Sequence, residues 1–221
     1  MHVVVNAAVS ADGKLSSRRR DQIAISGDED FGRVDRLRAE SDAIAVGVGT
    51  VLADDPRLTV KDEQLRARRR ENGRSANPAR VVVDSSGRTP ADAAVLDDAA
   101  TTYVCVSENA PVERRADLAD GAELITAGEK RVDLLRAVAT LRERGIERLM
   151  VEGGGELIFS LFEDGLVDEL RVFVGPQIIG GRDAPTLADG DGFVAEFPTL
   201  ELAEIDRLDG GVVLTWRVED R

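Results

Sequence analysis

Glycines, hydroxyls and carboxylates recur at four points where a β-type run gives way to a turn, and these are the groups that hold a nucleotide. The points are Gly47-Val48-Gly49-Thr50 with Asp54-Asp55-Pro56, Asp84-Ser85-Ser86-Gly87, Thr126 to Gly128, and Glu152-Gly153-Gly154-Gly155-Glu156. In an open α/β sheet, ligands bind outside the carboxyl ends of the strands, so four such ends suggest one rim-mounted site. The last stretch is the most informative. Glycine lets backbone approach a bulky ligand, and N–H groups at a helix start attract its phosphates. The spacing is not GxGxxG, so the fold need not be the classical doubly wound one.

The hydroxyls of Thr50 and Ser85 can donate to phosphate. Asp54 suits a sugar hydroxyl or an amide, or it caps the turn before Pro56. Arg57 and Lys61 flank that segment and Arg38 precedes it, a cationic cluster for a substrate phosphate, although a helical arginine is by default a solvated charge. The segment from Asn6 to Lys14 joins a strand end to small residues and a turn. A flat ring could lie there against backbone, or the small residues could pack under a helix; both readings stay open.

Acidic residues outnumber basic ones 42 to 29, for a net charge of -13. That balance argues against duplex nucleic acid as a partner. Lysine stands only at positions 14, 61 and 130. Acidic, lysine-poor surfaces suit high salt, where screening removes self-repulsion. With one cysteine, Cys105, and one histidine, His2, neither a disulfide framework nor a zinc or histidine-based centre is expected, and no metal. The chemistry must come from a cofactor or from carboxylates. No apolar run is long enough to cross a bilayer and the first residues do not resemble a secretory signal, so a cytoplasmic protein is expected.

The elements that must position these groups follow from hydrophobic periodicity. Strands are expected over 3–9, 43–48, 80–84, 102–106, 123–126, 148–152 and 170–175, with a hairpin over 200–208 and 212–218 turning at Asp209-Gly210-Gly211. Ser26-Gly27-Asp28-Glu29 fits a capping box opening a helix with Phe31, Val34 and Leu37 on one face. Leu134, Leu135, Val138 and Leu141 mark another helix, and Leu157, Ile158, Leu161 and Phe162 a third, ending at Gly165. The arginine-rich stretch 61–77 reads as an exposed loop insertion or a short solvated helix. The expected fold is a single α/β domain with a mainly parallel sheet flanked by helices and a C-terminal antiparallel hairpin.

In order, the runs NAAVSADGK (6–14), RAESDAIAVGVGTVLADDPRLTV (38–60), NPARVVVDS (77–85), VEGGGEL (151–157), GLVDE (165–169) and GPQIIGGRDA (175–184) resemble the riboflavin-biosynthesis reductase family, whose domain is similar to dihydrofolate reductase. The resemblance spans nearly the whole chain. It implies reduction of a pyrimidine ribosylamine 5′-phosphate to its ribityl form with NADPH, NADH being possible. Its pattern assigns Thr50, Asp54, Asp84, Ser85, Ser86, Gly87, Ile125, Gly153, Gly154, Gly155 and Glu156 to the cofactor. Asn6, Arg38, Leu58, Lys61 and Glu152 fall to the substrate, with Glu152 as the catalytic candidate. Ser86 and Arg88 could, with Ser85, hold a 2′-phosphate. Lys61 stands where bacterial relatives have arginine. The zinc deaminase motifs of bacterial fusions are absent from this sequence, which resembles the archaeal and fungal arrangement. There the substrate is 2,5-diamino-6-ribosylamino-4(3H)-pyrimidinone 5′-phosphate. A halophilic archaeal source and a homodimer are expected. The alternatives are a reductase of the deaminated aminouracil or of another pterin-like heterocycle, and a non-catalytic nucleotide-binding module.

Overall fold

Short runs of Val, Ile and Ala, buried on both faces, make the inner strands, and each ends where glycine, serine or aspartate takes over. The computed structural model describes residues 1–20 and 23–219. In chain order its elements are β1 (His2–Ser10), α1 (Asp28–Glu40), β2 (Ala43–Gly47), α2 (Val48–Asp54), α3 (Glu63–Glu71), β3 (Ala79–Val83), β4 (Thr102–Val106), α4 (Val112–Ala119), β5 (Glu123–Thr126), α5 (Leu134–Glu143), β6 (Arg148–Gly153), α6 (Gly155–Glu163), β7 (Glu169–Gly175), β8 (Leu200–Leu208) and β9 (Gly211–Val218). The mainly parallel sheet, the flanking helices and the C-terminal hairpin agree with the sequence reading.

The described chain divides into two compact units, Asp35–Met150 with Met1, and His2–Val34 with Val151–Arg221. In the first, β2, β3, β4 and β5 lie side by side and parallel, with Val46 opposite Val82 and Val82 opposite Val104. Ile44, Val46, Val51, Val82, Val95, Val104, Val106 and Leu118 form its core. In the second, β1 and β7 are parallel, and β9 and β8 continue antiparallel from β7. Phe173, Val213 and Ile25 pack together there. Asp209 (φ 50°) and Gly210 (φ 72°) turn the hairpin, the left-handed pair that a tight two-residue turn requires.

One local expectation is corrected, and one that offered two alternatives falls to the helix. The N-terminus of α1 is capped from 180 residues away rather than by Ser26. The Asp209 carboxylate accepts the N–H groups of Gly27 (3.1 Å), Glu29 (3.4 Å) and Asp30 (2.8 Å), while the Glu29 side chain accepts the Asp209 N–H (3.1 Å). This has the reciprocity of a capping box, with its two halves on different segments. The 61–77 stretch contains α3, started by the Asp62 side chain on the Gln64 and Leu65 N–H groups. Arg69 in this helix is buried, donating to the carbonyls of Ala39 (2.6 Å), Ser41 (2.8 Å) and Ser75 (2.8 Å). Loss of solvation lowers its guanidinium to about 10.

Arg80, on β3, has no solvent exposure. Its register partner Thr102 lies on the same face and accepts from Nε at 3.0 Å. Nη1 donates to Asp97 Oδ1 (2.7 Å), and Nη2 to the carbonyls of Ala100 (2.6 Å) and Asp97. A buried cation with this many partners is expensive to uncouple. Arg80→Ala is expected to lower unfolding free energy by about 3–5 kcal/mol, measured by urea denaturation, because it leaves several carbonyls unpaired and a cavity where a fully buried side chain stood.

Candidate active site

Parallel register brings three of the suspected strand ends to one edge of the first unit. Gly47 on β2 is opposite Val83 on β3, Val83 is opposite Cys105 on β4, and Val106 is opposite Thr126 on β5. The turns that follow are knitted through Ser85. Its carbonyl accepts the hydroxyl (2.7 Å) and N–H (3.2 Å) of Ser107, and its hydroxyl accepts the Val132 N–H (3.0 Å). Glu108 N–H closes onto the Gly128 carbonyl at 2.8 Å. Thr50 sits in the first turn of α2, directly after β2, so the hydroxyls of Thr50, Ser85 and Ser86 belong to the same rim. Ser86 and Arg88 are exposed there.

Asp54 ends α2, and Asp55 caps it in a left-handed conformation. Desolvation by its surroundings raises the Asp54 carboxyl above its ordinary range, although part of the side chain reaches solvent.

Three residues expected to meet a ligand have buried side chains. Asp84 has no exposure; Oδ2 accepts both the N–H and the hydroxyl of Thr89 at 2.7 Å, which closes the turn from inside. Ile125 and Leu58 are each 3% exposed, and Leu58 packs into the first unit's core. Leu58 also has φ 50°, unusual for a non-glycine residue, so it is the buried anchor of the segment that follows. The second carboxylate oxygen of Asp84, Oδ1, is enclosed without a hydrogen-bond partner among the described residues.

That segment, 58–62, is held by two residues of α1. Arg38 Nη1 donates to the Thr59 carbonyl (2.9 Å). The buried Asp35 carboxylate accepts the N–H groups of Lys61 (2.8 and 3.0 Å) and Asp62 (2.7 Å). Arg38 and Lys61 are thereby carried by one small assembly of α1 and the 58–62 strap. Sequence reading missed Asp35, although its spacing of three from Arg38 on α1 was the available signal.

Glu152 and the triple glycine belong to the second unit, as does Asn6. Glu152 is half-buried near the end of β6, and Glu156 is exposed in the first turn of α6. Gly154 takes φ 94° and no side chain caps α6. Gly155 has a structural reason of its own. A Cβ there would come within 2.6 Å of the Thr186 carbonyl, and the Asp189 N–H bonds to the Gly155 carbonyl at 3.0 Å. Asn6 is 6% exposed on β1, its carbonyl oxygen bonded to Arg33 at 2.8 Å. Beyond it Asp12 is held to about 2 by the Ser10 hydroxyl and the Ile179 and Gly180 N–H groups. Burial pushes the Cys105 thiol up to about 12, which leaves no reactive thiolate. Among the described residues no cluster of His, Cys, Asp and Glu could hold a metal, and no helix is long and apolar enough to cross a membrane.

The RibD C-terminal domain family matches residues 1–214. The chain belongs to that family. A protein of Archaeoglobus fulgidus named 2,5-diamino-6-ribosylamino-4(3H)-pyrimidinone 5′-phosphate reductase is 50% identical over 216 residues, covering 98% of this chain and 97% of the relative. A protein of the same name from Methanothermobacter thermautotrophicus is 47% identical over 220 residues, 99% of this chain and 98% of the relative. The crystal structure of a pyrimidine reductase-like protein from Corynebacterium diphtheriae shares the fold, with a TM-score of 0.82 at 20% identity over 100% of this chain and 92% of that one.

Relatives named as reductases imply a nicotinamide cofactor for this RibD C-terminal domain. Gly49 provides a test of fit. It lies exposed in the first turn of α2, its φ is not left-handed, and a Cβ added there would meet nothing within 4 Å. Neither conformation nor packing among the described residues asks for glycine, and the open space beside it would admit a close-approaching ligand. Gly49, Thr50, Ser85 and Ser86, all in the first unit, offer small surfaces and donors, which fit a phosphate-bearing coenzyme. Gly49→Ala is expected to stabilise the protein by roughly 0.5 kcal/mol in thermal melts. The same change should weaken binding of the reduced coenzyme in fluorescence titration.

Proposed function

We propose that this chain reduces the ribosylamino group of 2,5-diamino-6-ribosylamino-4(3H)-pyrimidinone 5′-phosphate to the ribitylamino product, with NADPH as reductant, in riboflavin biosynthesis. The observation that carries the reading is end-to-end identity of 50% and 47% to two proteins bearing that name. The ring-closed sugar cannot accept hydride, so the ribosylamine must first open to an imine at C1. The nicotinamide supplies the hydride; the protein's task is to align the two partners and handle a proton.

Arg38 and Lys61, on the strap, suit the substrate phosphate, and Glu152 suits the amino groups of the pyrimidine, with proton transfer as its second role. Thr50, Asp54, Ser85, Ser86 and the Gly153–Glu156 backbone suit the coenzyme. Exposed Ser86 and Arg88 favour the 2′-phosphate of NADPH over NADH. A cytoplasmic location goes with this role.

Purified protein in molar salt, NADPH and the diamino and deaminated substrates in parallel test the reading through absorbance at the nicotinamide band. Faster oxidation with the diamino compound is expected; no oxidation with either would end it. Glu152→Gln should lower kcat/KM by about ten- to a hundredfold, the worth of a hydrogen bond to a charged group. Arg38→Ala should raise the substrate KM about tenfold and change kcat much less, since the phosphate is remote from the reacting carbon.

A homodimer through the hairpin belongs to the same reading. Leu200, Leu202 and Ile205 on β8 are 37–56% exposed, and their register partners Val218, Trp216 and Leu214 share their face. A bulge between Leu202 and Glu204 keeps Ile205 on it. An apolar edge strand of this kind is normally covered. Wild-type protein should elute as a dimer in light scattering, and Leu202→Glu as a monomer.

A further inference from the structure

Asn6 is held in one orientation by charged groups that none of the assigned roles uses. Arg33, on α1, is anchored by Nε to Asp30 Oδ1 at 2.8 Å, and Asp30 is 2% exposed. The same guanidinium reaches Asn6, with Nη2 2.8 Å from the amide oxygen. An arginine has donors only, so the Asn6 atom facing it must be the oxygen. The amide nitrogen, with its two N–H groups, therefore points away from Arg33.

The cluster has more donors than acceptors. Arg33 Nη1 is enclosed without a hydrogen-bond partner among the described residues, whereas the Asn6 amide nitrogen is not one of the enclosed unpaired atoms and stays open to a partner from outside. With its oxygen committed to Arg33, the amide can meet an outside group only through its N–H donors, and such a group must be an acceptor. The asymmetry is chemical. A site that offers only N–H groups accepts a carbonyl oxygen or a ring nitrogen and rejects an analogue presenting N–H at that place.

We propose that Asn6 is a donor-only recognition residue for an amide-type carbonyl oxygen or aromatic ring nitrogen, and that Arg33 and Asp30 are positioning residues that prevent the amide from flipping. The proposal rests on the reductase reading for the identity of the ligand. Both the pyrimidinone base and the nicotinamide carboxamide carry such acceptors, and the test separates them.

The decisive variant is Asn6→Asp, nearly isosteric, which keeps the pairing with Arg33 and replaces both N–H donors with an acceptor. Its KM should rise about tenfold or more for one of the two ligands, the ribosylamine phosphate or NADPH, with an undiminished melting temperature. The ligand whose KM moves is the one that carries the acceptor. Asp30→Asn/Arg33→Leu removes the buried charges together and frees the amide to turn. It should raise the same KM by a smaller factor, and Arg33→Lys, again donors only, should restore most of the affinity. Asn6→Asp with both KM values within twofold of wild type would overturn the donor assignment. An unchanged KM in the double variant would overturn the positioning role. If wild-type protein oxidises no NADPH, the reductase reading fails separately. The donor assignment is then read from the Asn6 side-chain amide resonances in 15N-labelled protein, which should shift on titration with NADPH or the ribosylamine phosphate; no shift with either would sink it.

Discussion

The interaction on which most of this structure depends is an aspartate carboxyl accepting backbone N–H groups from a distant part of the chain. Asp209 starts α1 this way, Asp35 holds the 58–62 strap, and Asp12 ties the turn after β1 to Ile179 and Gly180 at 3.1 and 2.7 Å. Asp168 takes the Val3 N–H at 2.6 Å, and Asp42 takes those of Glu147 and Arg148 at 2.9 and 2.8 Å. Each joins segments that a loop or helix would otherwise leave with unsatisfied donors. Aspartate suits the work because its short side chain loses little rotamer freedom and its two oxygens can take several N–H groups at once.

This changes what the net charge of -13 means. As composition it describes a repelling surface that salt must screen. In the folded chain buried Asp35 and half-buried Asp42 and Asp209 are instead turned onto peptide groups, at close range and partly out of water, where added salt screens little. Exposed pairs such as Arg70 with Glu63 are the ones that salt will weaken. An acidic sequence can therefore keep its long-range ties in concentrated salt while losing its surface ion pairs.

Much of the fold was legible because hydrophobic periodicity is local. Strands β4 and β5 and the buried residues of α6 fall where alternation and helical spacing put them. The hairpin followed from Asp209-Gly210, which needs left-handed backbone. What could not be read was long-range capture. Ser26 and Glu29 satisfy a capping box on paper, but the Asp209 carboxylate takes the helix-start N–H groups, and nothing local signals a partner 180 residues away. Arg69 reads as one more solvated arginine until the carbonyls of Ala39 and Ser41 converge on it. At the candidate site the same limit applies. The motif gives the turns at the strand ends, yet it does not tell that Ser86 is exposed while Asp84 and Leu58 are buried.

Glycines show most clearly where protein architecture ends and ligand demand begins. Gly155 lies in the most suggestive motif of the sequence, yet the approach of Thr186 and Asp189 already explains it. Gly49, in a less conspicuous run, is explained by nothing inside the protein: a methyl group would fit and would favour the helix. A residue whose local cost has no local return points outward. The same reasoning applies to Asn6, where surplus donors stand beside an amide whose orientation Arg33 has already decided. In both places the informative quantity is the mismatch between what the fold requires and what the sequence supplies, one of space at Gly49 and one of donors at Asn6.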